Sequence, residues 1–138
     1  MTAKENLYYA IGSLAYAVAA ADGEVQKEER KKFLDIINNE LVDEEGYSVT
    51  GEIIFKLLDK KEKPDVKSTY DMALETIRNN GHYLSPELKS HFIAVLEKVA
   101  AAYPPVTAAE NAIVKQFKAD IEPIKGDPVY YSTAQKNL

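Results

Sequence analysis

Three carboxylates, Asp22, Glu29 and Glu110, are placed by type and spacing where they could do chemistry. The run Val18-Ala19-Ala20-Ala21-Asp22-Gly23-Glu24-Val25 leads to Glu29, and later Val99-Ala100-Ala101-Ala102-Tyr103-Pro104-Pro105-Val106 leads in the same way to Glu110. Each copy passes from an alanine-rich apolar stretch through a sharp turn to a valine and then a glutamate. Carboxylates set symmetrically in a duplicated fold could bind a cation. A site made only of oxygen donors favours Ca2+ or Mg2+ over zinc. The symmetry is broken, because Tyr103-Pro104 stands where the first copy has Asp22-Gly23.

The same residues have plainer uses. Asp22, Gly23, Val25 and Glu29 match the second half of a calcium-binding EF-hand loop, which turns at a glycine in position six and ends on a chelating glutamate. Its first and third positions would fall on Val18 and Ala20, which carry no side-chain oxygen, so an ordinary EF-hand is excluded. Thr107 and Glu110 have the spacing of a capping box, in which hydroxyl and carboxylate each satisfy a free N–H at a helix start. Glu29 sits at a similar helix start, and Asp22 suits a turn. The histidines add little. Glu87 and His91 are one helical turn apart, not at the Glu-x-x-His spacing of carboxylate-bridged metal bundles. Metalloprotease, phosphate-loop and nucleophile-elbow motifs are absent from the sequence.

The elements that must position these residues read as helices. Leu7, Ile11, Leu14, Val18 and Ala21 mark one face of a first helix, punctuated by Gly23. Phe33, Ile36, Ile37 and Leu41 stripe a second, with Glu28 and Glu29 in its first turn, where the helix dipole favours acids. Residues Val42 to Val49 read as a loop. Thr50 caps a short third helix expected to bury Ile53, Ile54, Leu57 and Leu58, and Pro64 closes it. Asp65 caps a fourth, whose inward face is Tyr70, Ala73, Leu74 and Ile77, with Asn80-Gly81 as a left-handed end. Ser85-Pro86-Glu87 starts a fifth, burying Leu88, Phe92, Val95, Leu96, Val99 and Ala102 until Pro104-Pro105 breaks it. Ile113, Phe117 and Ile121 stripe a sixth. No segment alternates as a strand would. Pro123, Gly126 and Pro128 make 122–138 an irregular tail, whose Val129-Tyr130-Tyr131 is expected to dock on the domain.

Composition narrows the function classes. The 138 residues fit a single domain, and the absence of cysteine rules out disulfides and thiolate metal sites. A net charge of −5 argues against a nucleic-acid backbone binder. Lysines at 27–32 and 60–63 alternate with acids and read as solvated helix faces. The apolar run Leu7–Ala21 resembles a signal peptide. Its preceding Lys4-Glu5 has no net positive charge, however, and tyrosines interrupt it. It is also shorter than the roughly 20 residues of a membrane span. A cytoplasmic protein with no membrane insertion is the expectation.

The pattern Ala19-Ala20-Ala21-Asp22-Gly23-Glu24-Val25, followed by Glu28-Glu29 after an apolar helix, resembles the hallmark of the TerB-like family. These are small all-helical domains linked to bacterial tellurite resistance, with a related domain in some J-domain co-chaperones. The resemblance spans about Leu7 to Ile121. It implies an internally duplicated helical bundle whose acids hold a divalent metal, and it carries that role to Asp22, Glu29 and Glu110. The expectation is therefore an all-α, TerB-like bundle of six or seven helices with a pseudo-two-fold hairpin repeat. Its expected function is a non-enzymatic module that binds a partner protein, a divalent cation or both, in a stress-resistance setting. An interaction scaffold without metal is the second reading. The third, a small hydrolase, needs a polar pocket joining His82 or His91 to carboxylates.

Overall fold

A computed structural model describes residues 2–23, 25, 27–41, 46, 48–60, 65–102 and 104–131. Among them the chain forms seven helices and no strand: α1 (Ala3–Ala19), α2 (Lys27–Glu40), α3 (Ser48–Lys60), α4 (Val66–Asn79), α5 (Pro86–Ala101), α6 (Ala108–Ile121) and a single turn, α7 (Pro128–Tyr131). A 3-10 turn, Gly81–Tyr83, joins α4 to α5. The expected starts hold at three helices. Asp65 accepts from the Ser68 N–H, Ser85 accepts from the Leu88 N–H ahead of Pro86, and Thr107 with Glu110 forms a full capping box. A second capping box, Thr2 with Glu5, starts α1 several residues before the apolar run begins. In each case a side chain satisfies an N–H that the helix itself leaves unpaired.

Helix α1 is the axis of the bundle, touching α2, α3, α4, α5 and α6. Residues 10 to 20 are buried on every side, so the stripe expected on one face is a sheath. The alanines at 10, 15, 17 and 19 make this possible, since small side chains let several helices approach together. The closest approach is to α3. A Cβ on Gly12 would lie 2.3 Å from the carbonyl oxygen of Gly51, and one on Gly51 would lie 3.1 Å from that of Tyr8. The two backbones meet where both helices lack side chains. Beside this crossing Phe55 packs edge-on to Tyr16, with ring centroids 5.7 Å apart, and against Phe33 of α2 at 6.1 Å. On α5, Phe92 meets Tyr8 edge-on at 6.0 Å.

Three expectations change. The helix at residues 48–60 begins before Thr50, and it buries Gly51, Ile54 and Phe55 while Ile53 and Leu57 stand half-exposed. The contact at Gly51 turns the glycine side of α3 inward and rolls the row Val49, Ile53, Leu57 outward. Gly81 is not a left-handed cap: Asn80 ends α4 at φ −118°, and Gly23 and Gly46 are the described glycines with positive φ. Gly81 instead leaves room for Ile124, whose methyl would lie 2.7 Å from an added Cβ. On α6, Val114 joins Phe117 and Ile121 in the core, while Ile113 is half-buried. Pro64, Tyr103 and most of the 42–49 loop lie outside the described residues.

Of the Val129-Tyr130-Tyr131 segment expected to dock, Tyr130 packs on the domain while Val129 stays exposed. The Asp127 N–H donates to the His82 carbonyl at 2.9 Å. Tyr130 packs on His82 and Tyr83 with centroids 4.8 and 5.4 Å apart. Lys89 donates to the carbonyl of Ile124. Further up the bundle, the buried Tyr70 hydroxyl of α4 donates to Asp120 of α6 at 2.7 Å. Burial and this carboxylate push the phenol's pKa up, keeping it a donor. No described helix is long and apolar enough to cross a membrane.

Candidate functional site

The repeated pattern puts Asp22 and Glu110 in different settings. Asp22 is exposed in the turn after α1, where the Ala21 N–H reaches Val18 and the Gly23 N–H reaches Ala20. Gly23 there has φ +137°, which only glycine adopts readily. Glu29 is half-buried in the first turn of α2. Glu110 is 7% exposed, and its Oε1 accepts both the N–H and the hydroxyl of Thr107 at 3.0 Å. The Thr107 hydroxyl oxygen in turn accepts the Glu110 N–H at 3.1 Å. This box satisfies the carboxylate locally.

Among the described residues no group of three or more His, Cys, Asp or Glu side chains is gathered so as to hold a metal ion. Asp22, Glu29 and Glu110 are all described and are not such a group. A positive charge does lie at this end of the bundle. Lys32 of α2 donates to the Ala102 carbonyl at 2.7 Å, capping the negative end of α5. Sequence reasoning missed this contact, which depends on how α2 crosses α5. Thr107→Ala is expected to cost about 1 kcal/mol in chemical denaturation. Glu110→Gln, which keeps an acceptor oxygen, should cost less. A rise in melting temperature with Ca2+ or Mg2+ would show that the folded chain binds that ion, because a ligand that prefers the folded state must stabilise it.

The histidines join networks that their sequence neighbours do not supply. His91 pairs with Glu40 of α2, Nδ1 to Oε1 at 3.2 Å, not with Glu87. Lys98 donates to the other oxygen of Glu40 at 2.6 Å. The Lys98 hydrogen bond, with that of His91 behind it, outweighs desolvation and holds the Glu40 carboxyl below its ordinary 4.5. A depressed carboxylate stabilises the fold above its unfolded pKa, and that contribution is lost as pH falls through the folded one. Melting curves between about pH 5 and pH 3 should therefore show Glu40→Gln less stable than wild type at the upper end and less sensitive to acid. His82 meets Tyr130 edge-on. Between α5 and α6 lies a shallow groove of about 410 Å³, floored by Ala100, Val106 and Val114. The Glu97–Lys118 ion pair, 2.6 Å long, lies at its edge, and neither histidine lines it.

The surface that departs most from an ordinary helix exterior is on α3. Val49, Ile53 and Leu57 are each 50% exposed. At four-residue spacing they step only about 40° around the axis and form one apolar row. Glu52 and Lys56 flank the row, joined to each other at 3.3 Å. Asp59 is turned away and held by Arg30 of α2 at 2.6 Å. Met72 of α4 is a further exposed apolar residue. Contiguous apolar rows with a charged rim are what protein-contact surfaces present to solvent. The sequence held one available signal: apolar residues at 49, 53, 54, 55, 57 and 58 span more of the helix circumference than one neighbour can cover. No protein-family model, curated protein or solved structure matches the chain.

Proposed function

We propose that this chain is a non-enzymatic, cytoplasmic helical module that binds another protein through the exposed face of α3. The observation that carries this reading is the Val49, Ile53, Leu57 row, left half in water by a chain that buries the apolar stripes of its other long helices. Burying three aliphatic side chains gives a driving force, at roughly 25 cal/mol per Å² of apolar surface removed from water. The charged rim gives orientation. The groove beside α6 supports catalysis less well, since it is shallow and joins no histidine to a carboxylate. The stress-resistance setting comes from the TerB-like resemblance at Asp22-Gly23 and Glu29.

Photo-crosslinking in cells tests the surface. A crosslinking side chain in place of Leu57 should give protein adducts of discrete mass. The same side chain in place of Gln116, exposed on α6, should not. Ile53→Glu in the same chain should abolish the adducts at 57. Absence of adducts at 57, or the same adducts at 116, overturns the reading.

A further inference from the structure

The groove between α5 and α6 shares no residue with the α3 row. Its volume, about 410 Å³, falls within the roughly 300–1,000 Å³ of small-ligand sites. The space exists because α5 presents only the methyl groups of Ala100 and Ala101 towards Val106 and Val114.

Both ends of the groove are bounded. Helices α5 and α6 run antiparallel, with Lys89 beside Glu122 at one level and Glu97 beside Lys118 at the next. The 2.6 Å Glu97–Lys118 pair therefore crosses from helix to helix at one end. Val106, in the turn before α6, stands at the other. From the level of Asn111 to that of Lys118 is about 10 Å, at 1.5 Å rise per residue. A peptide strand or helix laid along the groove would have to cross the ion pair. A compact molecule fits between the ends.

The charges set the sign of that molecule. Among the described lining residues Glu97 is the single carboxylate, and Lys118 neutralises it. The acids of α6 are engaged elsewhere, Glu110 by Thr107 and Asp120 by Tyr70. The side chains of Lys115 and Asn111 have no partner among the described residues. At i, i+4 spacing they rise from one face of α6, beside Val114. Together they offer an ammonium and an amide N–H to one anion. One free positive charge matches a monoanion, and two donor groups match the two oxygens of a carboxylate. The apolar floor next to them takes a hydrocarbon body.

We propose that the α5–α6 groove binds a small aliphatic monocarboxylate. Lys115 and Asn111 hold the carboxylate, and the hydrocarbon lies on Ala100, Val106 and Val114. An exposed ammonium holds a carboxylate only weakly by itself. The apolar contact therefore supplies most of the affinity, and the two donors fix the orientation. The site is independent of the α3 surface.

Titration of the isotope-labelled full chain with hexanoate, followed by backbone amide NMR shifts, tests the proposal. Hexanoate should shift the amides of Ala100, Ala101 and Val114 saturably, with a Kd of about 1–5 mM. Acetate, which lacks the hydrocarbon body, should bind at least about tenfold more weakly. Lys115→Gln should weaken hexanoate roughly three- to fivefold. Hexanol, which lacks the charge, should bind more weakly than hexanoate and be indifferent to Lys115→Gln. A merely structural role for Lys115 would move both ligands alike. Lys125→Gln removes the same charge away from the groove and should leave hexanoate binding as in wild type. Ala101→Leu fills the groove from its exposed rim and should abolish the shifts, with the melting temperature as the check on folding. Absence of saturation by about 20 mM hexanoate, or acetate binding as tightly as hexanoate, overturns the proposal. So does hexanoate binding that survives Lys115→Gln unchanged, or that falls equally with Lys125→Gln.

Discussion

Gly12→Ala is expected to destabilise the fold by about 3 kcal/mol and to lower the melting temperature by roughly 10 °C. In isolation the exchange favours a helix, since alanine is better than glycine there by up to about 1 kcal/mol. The tertiary contact reverses the sign. A Cβ at position 12 would lie 2.3 Å from the Gly51 carbonyl oxygen and 2.8 Å from its Cα, and both are backbone atoms of a packed helix. No rotamer change relieves such a clash, so α1 and α3 must separate and the aromatic contacts beside them must loosen. Gly51→Ala is the internal control. Its Cβ would lie 3.1 Å from the Tyr8 carbonyl oxygen and 3.6 Å from an Ile37 methyl group. A shift of a few tenths of an ångström suffices there, and the helix-propensity gain offsets part of it. That variant should fall within about 1 kcal/mol of wild type. Chemical denaturation of the pair checks the order. If Gly12→Ala is as stable as wild type, the helices do not cross at these glycines.

Phe55→Ala is expected to cost about 3–5 kcal/mol, the range for truncating a fully buried aromatic residue. Phe55 is 1% exposed and stands between Tyr16 of α1 and Phe33 of α2. Its removal opens a cavity at the junction of three helices. Two residues earlier on the same helix, Ile53→Ala should change stability by no more than about 0.5 kcal/mol, because half of that side chain is already in water. The contrast separates the inward side of α3 from its contact side. Urea unfolding of the two variants gives the result directly. Equal losses would mean that Ile53 is a core residue and that the exposed row is not a surface.

The helix starts were legible because a cap is a conversation between residues three apart. Asp65 with Ser68, Ser85 with Leu88 and Thr107 with Glu110 need nothing from elsewhere in the chain, and all three are in place. The all-α class was legible for a similar reason: helical periodicity recurs in each segment, and proline or glycine stands at most of the boundaries. The cap of α1 lies outside the apolar pattern, because Thr2 and Glu5 precede the first residue of the apolar run. Gly81 was misjudged as a left-handed cap because its partner, Ile124, is remote in sequence.

The candidate site shows the same division more sharply. The sequence proposed Asp22, Glu29 and Glu110 from a repeated pattern. A repeat specifies where residues fall along helices but not whether their side chains converge. Glu110 is held by Thr107, Asp22 faces solvent, and Lys32 caps the end of α5. The pairing of Glu40 with His91 and Lys98 joins two helices distant in the chain, and no local pattern marks it. From its amino acids alone this chain was committed to helices, to their caps and breaks, and to a negative, cysteine-free character, all of which follow from short-range bonding and from residue counts. Which side of each helix faces inward was settled by packing. On α3 the apolar residues cover too much of the circumference for periodicity to choose. The choice falls to Gly51, whose missing side chain lets α1 approach at Gly12 and leaves Val49, Ile53 and Leu57 on the outside.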